Sequence, residues 1–286
     1  MRFPLAMLLA LLAGLSAGAQ GFGSFTHDQP FLARDSAGAA STLEDLLTQQ
    51  AYLRWTWLDL ASNATVSAWT NRIGPSVSFI NADATKRPET TASGLKIDIN
   101  NFLTNAVFEM KTNMAFGFIF KVIDPLDSGA GDSPIWAGSG KANEDESITT
   151  NSWGFRFGGG SSSLEWEVPA NTVWTGPRFG QLTNILVAVI HSFGVDLQSN
   201  TNYVALWTNS VLSKGVGGPA SLLVGGCNDK RAPISLGHSY YRNSGPEMYL
   251  LDIWVWTNQP TGSEGLVLSA QTRSNFFAFM TNSYPQ

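Results

Sequence analysis

The 286 residues contain one cysteine, Cys227. No disulfide can close within the chain, so a buried apolar core must hold the fold, and a small stapled scaffold is excluded. Charge is scarce as well: 14% of residues are charged and the formal net charge is −5. Without a basic excess there is little to neutralise phosphates, which argues against nucleic-acid binding. Low charge beside 28 glycines and ten tryptophans argues against a coiled coil, and 43% hydrophobic residues excludes intrinsic disorder. Histidine is nearly absent: His27, His191 and His238 are scattered and, with Cys227, offer no short zinc-ligand spacing. His191, at the end of an apolar run, reads as a structural histidine, and Cys227 as a small loop residue. No G-x-S-x-G occurs, so a Ser-His-Asp hydrolase lacks its nucleophile signature.

Long apolar stretches are also missing, with one exception at the start. Met1-Arg2 supplies a positive beginning, Leu5 to Leu15 is almost unbroken apolar sequence, and Ala17-Gly18-Ala19 offers the small residues that a signal peptidase accepts. Residues 1–19 therefore read as a cleaved signal peptide, the run being too short for a membrane anchor. The mature chain is expected outside the cytoplasm, extracellular or periplasmic, with no membrane span. Residues 20–50 read as a lead-in ending in a short helix, for which Ser41 and Glu44 form a capping box and Leu43, Leu46 and Leu47 fall at helical spacing.

From residue 51 the period changes to two. Phe116, Phe118 and Phe120 alternate with Ala115, Gly117 and Ile119; Ile185, Val187 and Val189 alternate with their neighbours, as do Tyr203, Ala205 and Trp207. Near the end, Met248, Leu250, Asp252, Trp254 and Trp256 are expected on one face of a strand, with Tyr249, Leu251, Ile253 and Val255 on the other. Both faces are mostly apolar, so this strand should be central. Gly-, Ser- and Asp-rich punctuation separates the strands without alternating helices, which predicts an all-β, two-sheet antiparallel jelly-roll sandwich over 51–286. Thr261 with Glu264 makes a second capping box, and Leu266, Ala270, Phe277 and Met280 suit one face of a closing helix.

Three segments in chain order carry a resemblance. Trp57-Leu58-Asp59-Leu60-Ala61-Ser62 is followed by Val66-Ser67-Ala68-Trp69-Thr70-Asn71-Arg72-Ile73-Gly74 and by Ala84-Thr85-Lys86-Arg87-Pro88. Later come Leu206-Trp207-Thr208-Asn209-Ser210-Val211-Leu212, then Ile234-Ser235-Leu236-Gly237 and Tyr249 to Trp256, with Ser263-Glu264 beyond. Together they resemble bacterial laminin-G-like domains of the concanavalin A-like lectin and glucanase superfamily. Asn71 stands where that pattern has Asp, Ile73 replaces a polar residue, and Asn209-Ser210 replaces Asn-Gly. The resemblance implies a two-sheet jelly roll whose members bind glycans, bind proteins or serve as adhesive modules.

Glu165 and Glu167 are the candidate catalytic pair, since residues i and i+2 on a strand share a face at a separation that suits a retaining glycosidase. The laminarinase-type hydrolases of the same superfamily carry a third alternating acid, where this chain has Ser163. Solvent-facing glutamates are therefore preferred, and no catalytic residue is assigned. Asp124, Asp127, Asp132 and Asp145 supply hard oxygen atoms in loops, the candidates for a calcium site, but match no fixed-spacing motif. No other cofactor is indicated. Trp136, Trp153 and Trp174 border polar loops and are the candidate ligand-binding residues, because an indole face stacks on the apolar side of a sugar ring. Trp55, Trp57, Trp254 and Trp256 read as core strand residues. The expected function is a secreted, non-catalytic module that binds carbohydrate or another surface polymer through rim loops. A glycoside hydrolase using Glu165 and Glu167, or an envelope or matrix protein without a small ligand, are the alternatives.

Overall fold

Alternating apolar sequence becomes two eight-stranded antiparallel sheets. The computed structural model describes residues 42–109, 114–124, 133–139, 152–158, 163–168, 172–178, 186–196, 201–209, 211–219, 231–237, 245–257 and 268–284, all within one compact unit, Ser41–Gln286. The expected signal peptide, the lead-in through Ser41, Asp127, Asp132, Asp145, Cys227, His27, His238, Thr261, Glu264 and Leu266 lie outside these residues.

Helix α1 (Leu43–Gln50) leads into β1 (Leu53–Thr56), then β2 (Ala68–Thr70), β3 (Ser78–Ile80), β4 (Glu89–Thr91) and β5 (Gly94–Ile97). Next come β6 (Leu103–Glu109), β7 (Met114–Asp124), β8 (Ser133–Ser139), β9 (Ser152–Gly158), β10 (Ser163–Val168) and β11 (Thr172–Arg178). The chain continues through β12 (Leu186–Asp196), β13 (Thr201–Thr208), β14 (Val211–Pro219), β15 (Arg231–Leu236) and β16 (Glu247–Thr257) to helix α2 (Ala270–Ser283). Sheet 1 runs β14-β13-β12-β7-β16-β5-β4, with β1 also pairing β16; sheet 2 runs β11-β10-β9-β8-β15-β6-β3-β2. Three partners surround β16, so it is central as its composition predicts.

The inner face of sheet 1 meets sheet 2 in one apolar cluster. Phe116, Phe118 and Phe120 of β7, Val187 and Val189 of β12, and Ile253 and Val255 of β16 join Trp69, Phe79, Leu103 and Leu236 of sheet 2. The outer face of sheet 1 forms a second cluster, in which Ala115, Ile119, Ala188, Ile190, Trp254 and Trp256 lie under Leu47 of α1 and Phe276, Phe277, Phe279 and Met280 of α2. The described residues of the unit Ser41–Gln286 are thus layered helix, sheet, sheet. Each fully buried aliphatic or aromatic side chain contributes about 1.5–3 kcal/mol to such clusters.

Three details depart from the expected pattern. Thr42, one residue later than Ser41, caps α1, its hydroxyl accepting from the Asp45 amide at 3.1 Å while Asp45 accepts from the Thr42 amide at 2.9 Å. Trp57 starts a three-residue 3-10 turn rather than lying in a strand, and it is half-buried. In β16 the register against β7 slips between Leu250 and Asp252. This bulge inserts one residue, and beyond it alternation resumes on the opposite face. Met248 and Leu250 therefore share the inter-sheet core with Ile253 and Val255, while Leu251 joins Trp254 and Trp256 under the helices.

Candidate functional site

Several polar residues of the segments that carry the sequence resemblance build loops. Asn71 accepts from the Val77 amide at 2.6 Å and donates from its side-chain nitrogen to the carbonyls of Ile73 and Pro75, closing the turn after β2. A carboxylate has no donor for those two carbonyls, which explains Asn at this position. Gly74, at φ +83°, lets the turn press on β1: a Cβ there would lie 2.1 Å from the Tyr52 carbonyl oxygen. Arg87 donates from Nε to the Asn81 carbonyl at 2.9 Å. Asn209, at φ +45°, opens the two-residue turn between β13 and β14 and accepts from the Ala188 amide at 2.8 Å. These groups are spent on the backbone.

The candidate tryptophans are strand residues: Trp136 lies in β8, Trp153 in β9 and Trp174 in β11. Backbone register ties them together. Leu236 pairs with Trp136, Trp136 with Phe155, Phe155 with Trp166 and Trp166 with Trp174, so one cross-strand row runs over five strands of sheet 2. Residues directly opposite in a ladder share a face, and Trp153, two residues before Phe155, shares it too. Its Leu236 end belongs to the inter-sheet core. Its Trp174 end lies on β11, an edge strand.

Glu165 and Glu167 share the opposite face of β10. Glu165 is in register with Arg156 on one side and Thr175 on the other, and Glu167 with Gly154 and Val173. Asp124 ends β7 and is exposed. His191 lies in β12, in register with Phe116 and Leu206. Among the described residues, no three His, Cys, Asp or Glu side chains gather to hold a metal ion.

A polar cluster that the sequence reading did not single out lies under the helices. Arg54 of β1 is 1% exposed and Asp252 of β16 is fully buried. Arg54 donates from Nε to Asp252 Oδ1 at 3.0 Å, and from Nη2 to Oδ2 at 3.4 Å. Its Nη1 donates to Glu44 of α1, and the Tyr284 hydroxyl, just beyond α2, donates to Asp252 Oδ2. Arg72 extends the chain outward, 3.0 Å from Glu44 and 3.7 Å from Asp59. The Arg54 guanidinium also sits 4.1 Å from the centre of the Trp254 ring. Burial pushes the Asp252 carboxyl up to about 6, although Arg54 and the Tyr284 hydroxyl pull it down. Burial and the Asp252 charge together push the Tyr284 phenol upward. Arg54 loses some basicity to burial, but Asp252 and Glu44 more than restore it. Arg54 and Asp252 are both buried, so the inner part of the cluster ties β1 and β16 to the helices away from solvent. Its sequence signal was a charged residue, Arg54 or Asp252, set among mostly apolar neighbours in a strand.

The fold class is therefore an all-β two-sheet sandwich with a helical layer on one outer face. No protein-family model matches the chain, and no curated protein sequence matches it. Among solved structures the chain is similar to Trypanosoma rangeli sialidase in complex with sialic acid, with a TM-score of 0.55 at 11% identity, covering 98% of this chain. It spans 39% of the length of that sialidase. The same sialidase with 2,3-difluorosialic acid, a covalent intermediate, gives a TM-score of 0.55 at 12% identity, with 98% of this chain and 40% of that chain covered. The CBM40 of Ruminococcus gnavus IT-sialidase gives a TM-score of 0.42 at 9% identity, covering 65% of this chain and 95% of that one. At these identities the likeness to the sialidase concerns the fold.

Proposed function

We propose that the chain is a secreted, non-catalytic binding module of the laminin-G-like, concanavalin A-like kind, which takes carbohydrate or another surface polymer. The observation that carries this reading is the aromatic row of Trp136, Phe155, Trp166 and Trp174, with Trp153 on the same face. Indole faces suit the apolar side of a sugar ring. Trp174 is the member of the row on an edge strand, β11, which ends the strand order of sheet 2 among the described residues. Trp136 and Trp153, on interior strands, support the row. Export is supported by the charged start, the apolar run and Ala17-Gly18-Ala19.

The test is a glycan-array screen of the chain from Gln20 onward, with and without calcium, followed by affinity and thermal melting of Trp174→Ala. Because the similar sialidase structures are complexes with sialic acid and its difluoro analogue, sialylated glycans belong on the array. Loss of one stacking ring should weaken binding by roughly two- to twelvefold, or about 0.5–1.5 kcal/mol. Unchanged binding with a lowered melting temperature would make the row a core feature and remove the basis for the proposal.

A further inference from the structure

The outer face of sheet 1 is covered by the two helices, and three links join them there. Thr272 of α2 donates its hydroxyl to Gln50 of α1 at 2.8 Å. Leu47 of α1 shares one apolar cluster with Phe276, Phe277, Phe279 and Met280 of α2. The third link is the buried ion pair: Glu44 reaches Arg54 from α1, and Tyr284 reaches Asp252 from the end of α2. None of these helix residues belongs to the cluster between the sheets.

Helices of eight and fourteen residues are marginal in water and depend on docking. If α1 leaves, Arg54 loses Glu44; if α2 leaves, Asp252 loses Tyr284. A buried charge stripped of one partner is strongly unfavourable. Departure of either helix therefore weakens the seat of the other, while the inter-sheet core keeps all its contacts.

We propose that α1 and α2 form one strap that docks on and leaves the outer face of sheet 1 as a single unit, locked by Glu44, Arg54, Asp252 and Tyr284. Undocking uncovers the stacked pair Trp254 and Trp256, whose ring centres lie 5.9 Å apart, without opening the sandwich. The strap is independent of the binding reading above.

Native-state hydrogen exchange on the full chain tests it. In the wild type, amides of α1 and α2 should share one opening equilibrium, with those of Met114–Asp124 far slower. Tyr284→Phe removes the hydroxyl bonded to Asp252 and should speed exchange in both helices by the same factor, roughly tenfold, leaving Met114–Asp124 unchanged. Gln50→Ala, which touches the link from the other helix, should accelerate α2 as much as α1. Acceleration confined to the helix that carries the substitution would overturn the proposal by making the helices independent. Equal acceleration of Met114–Asp124, or loss of the whole fold in either variant, would overturn it by making the helices part of global unfolding.

Discussion

Asp252 and Tyr284 give the molecule a characteristic dependence on pH. An unfolded aspartate titrates near 3.9, whereas burial holds the Asp252 carboxyl at about 6 in the folded chain. The folded state thus binds its proton more tightly, and the stability this confers is complete below about 4 and lost as pH rises through 6. We expect wild-type unfolding free energy to fall by about 2–3 kcal/mol relative to Asp252→Asn between pH 4 and 7.5, as measured by urea denaturation. Tyr284, also raised, acts at the other end: its contribution is lost above about 10, where only the unfolded chain ionises freely. Tyr284→Phe should show no such alkaline loss from this site. The sequence displayed Asp252 and Arg54 as isolated charges within apolar strands. Their pairing across 198 positions was not legible, because only the register of β1 against β16 sets Arg54 opposite Trp254 and Thr56 opposite Asp252.

Packing between elements explains why β7 alternates large and small. Its inner residues Phe116, Phe118 and Phe120 fill the space between the sheets, while Ala115 and Gly117 face the helices. A Cβ at Gly117 would lie 2.8 Å from Phe276 Cζ and 2.9 Å from the Trp256 ring. Gly117→Ala should therefore destabilise by about 1–3 kcal/mol through overpacking, despite the better strand propensity of alanine. Calorimetry of Gly117→Ala alone and with Phe276→Leu checks this, since the smaller partner should return part of the loss. Strand existence was legible for β7, β12, β13 and β16, because period two repeats over many residues. The two faces of β16 were not: one inserted residue at the bulge exchanges faces, and no local residue type announces it. The α1 cap lay one residue from its predicted place because Ser41 and Thr42 are both capable N-caps.

At the scale of the whole molecule, the two faces of sheet 2 carry different residue types. Aromatic residues share one face, and Glu165 and Glu167 the other, with Arg156 in register with Glu165. A retaining glycosidase needs one carboxyl kept protonated and a second poised beside it as nucleophile. The chain from Gln20 onward is expected to release no reducing sugar from β-glucans, galactans or xylans, and Glu165→Gln with Glu167→Gln should leave glycan affinity within about twofold. Hydrolysis abolished by either substitution would favour the enzyme instead. What the sequence determined by itself was the all-β class, the helices near each end and the central strand, because apolar periodicity is local and repeated. Which tryptophans share a row, which carboxylates lie across from an arginine, and which face of sheet 1 lies beneath the helices were decided only in three dimensions. Those facts depend on the pairing of strands far apart in the chain, and antiparallel register is set by packing rather than by any short stretch of residues.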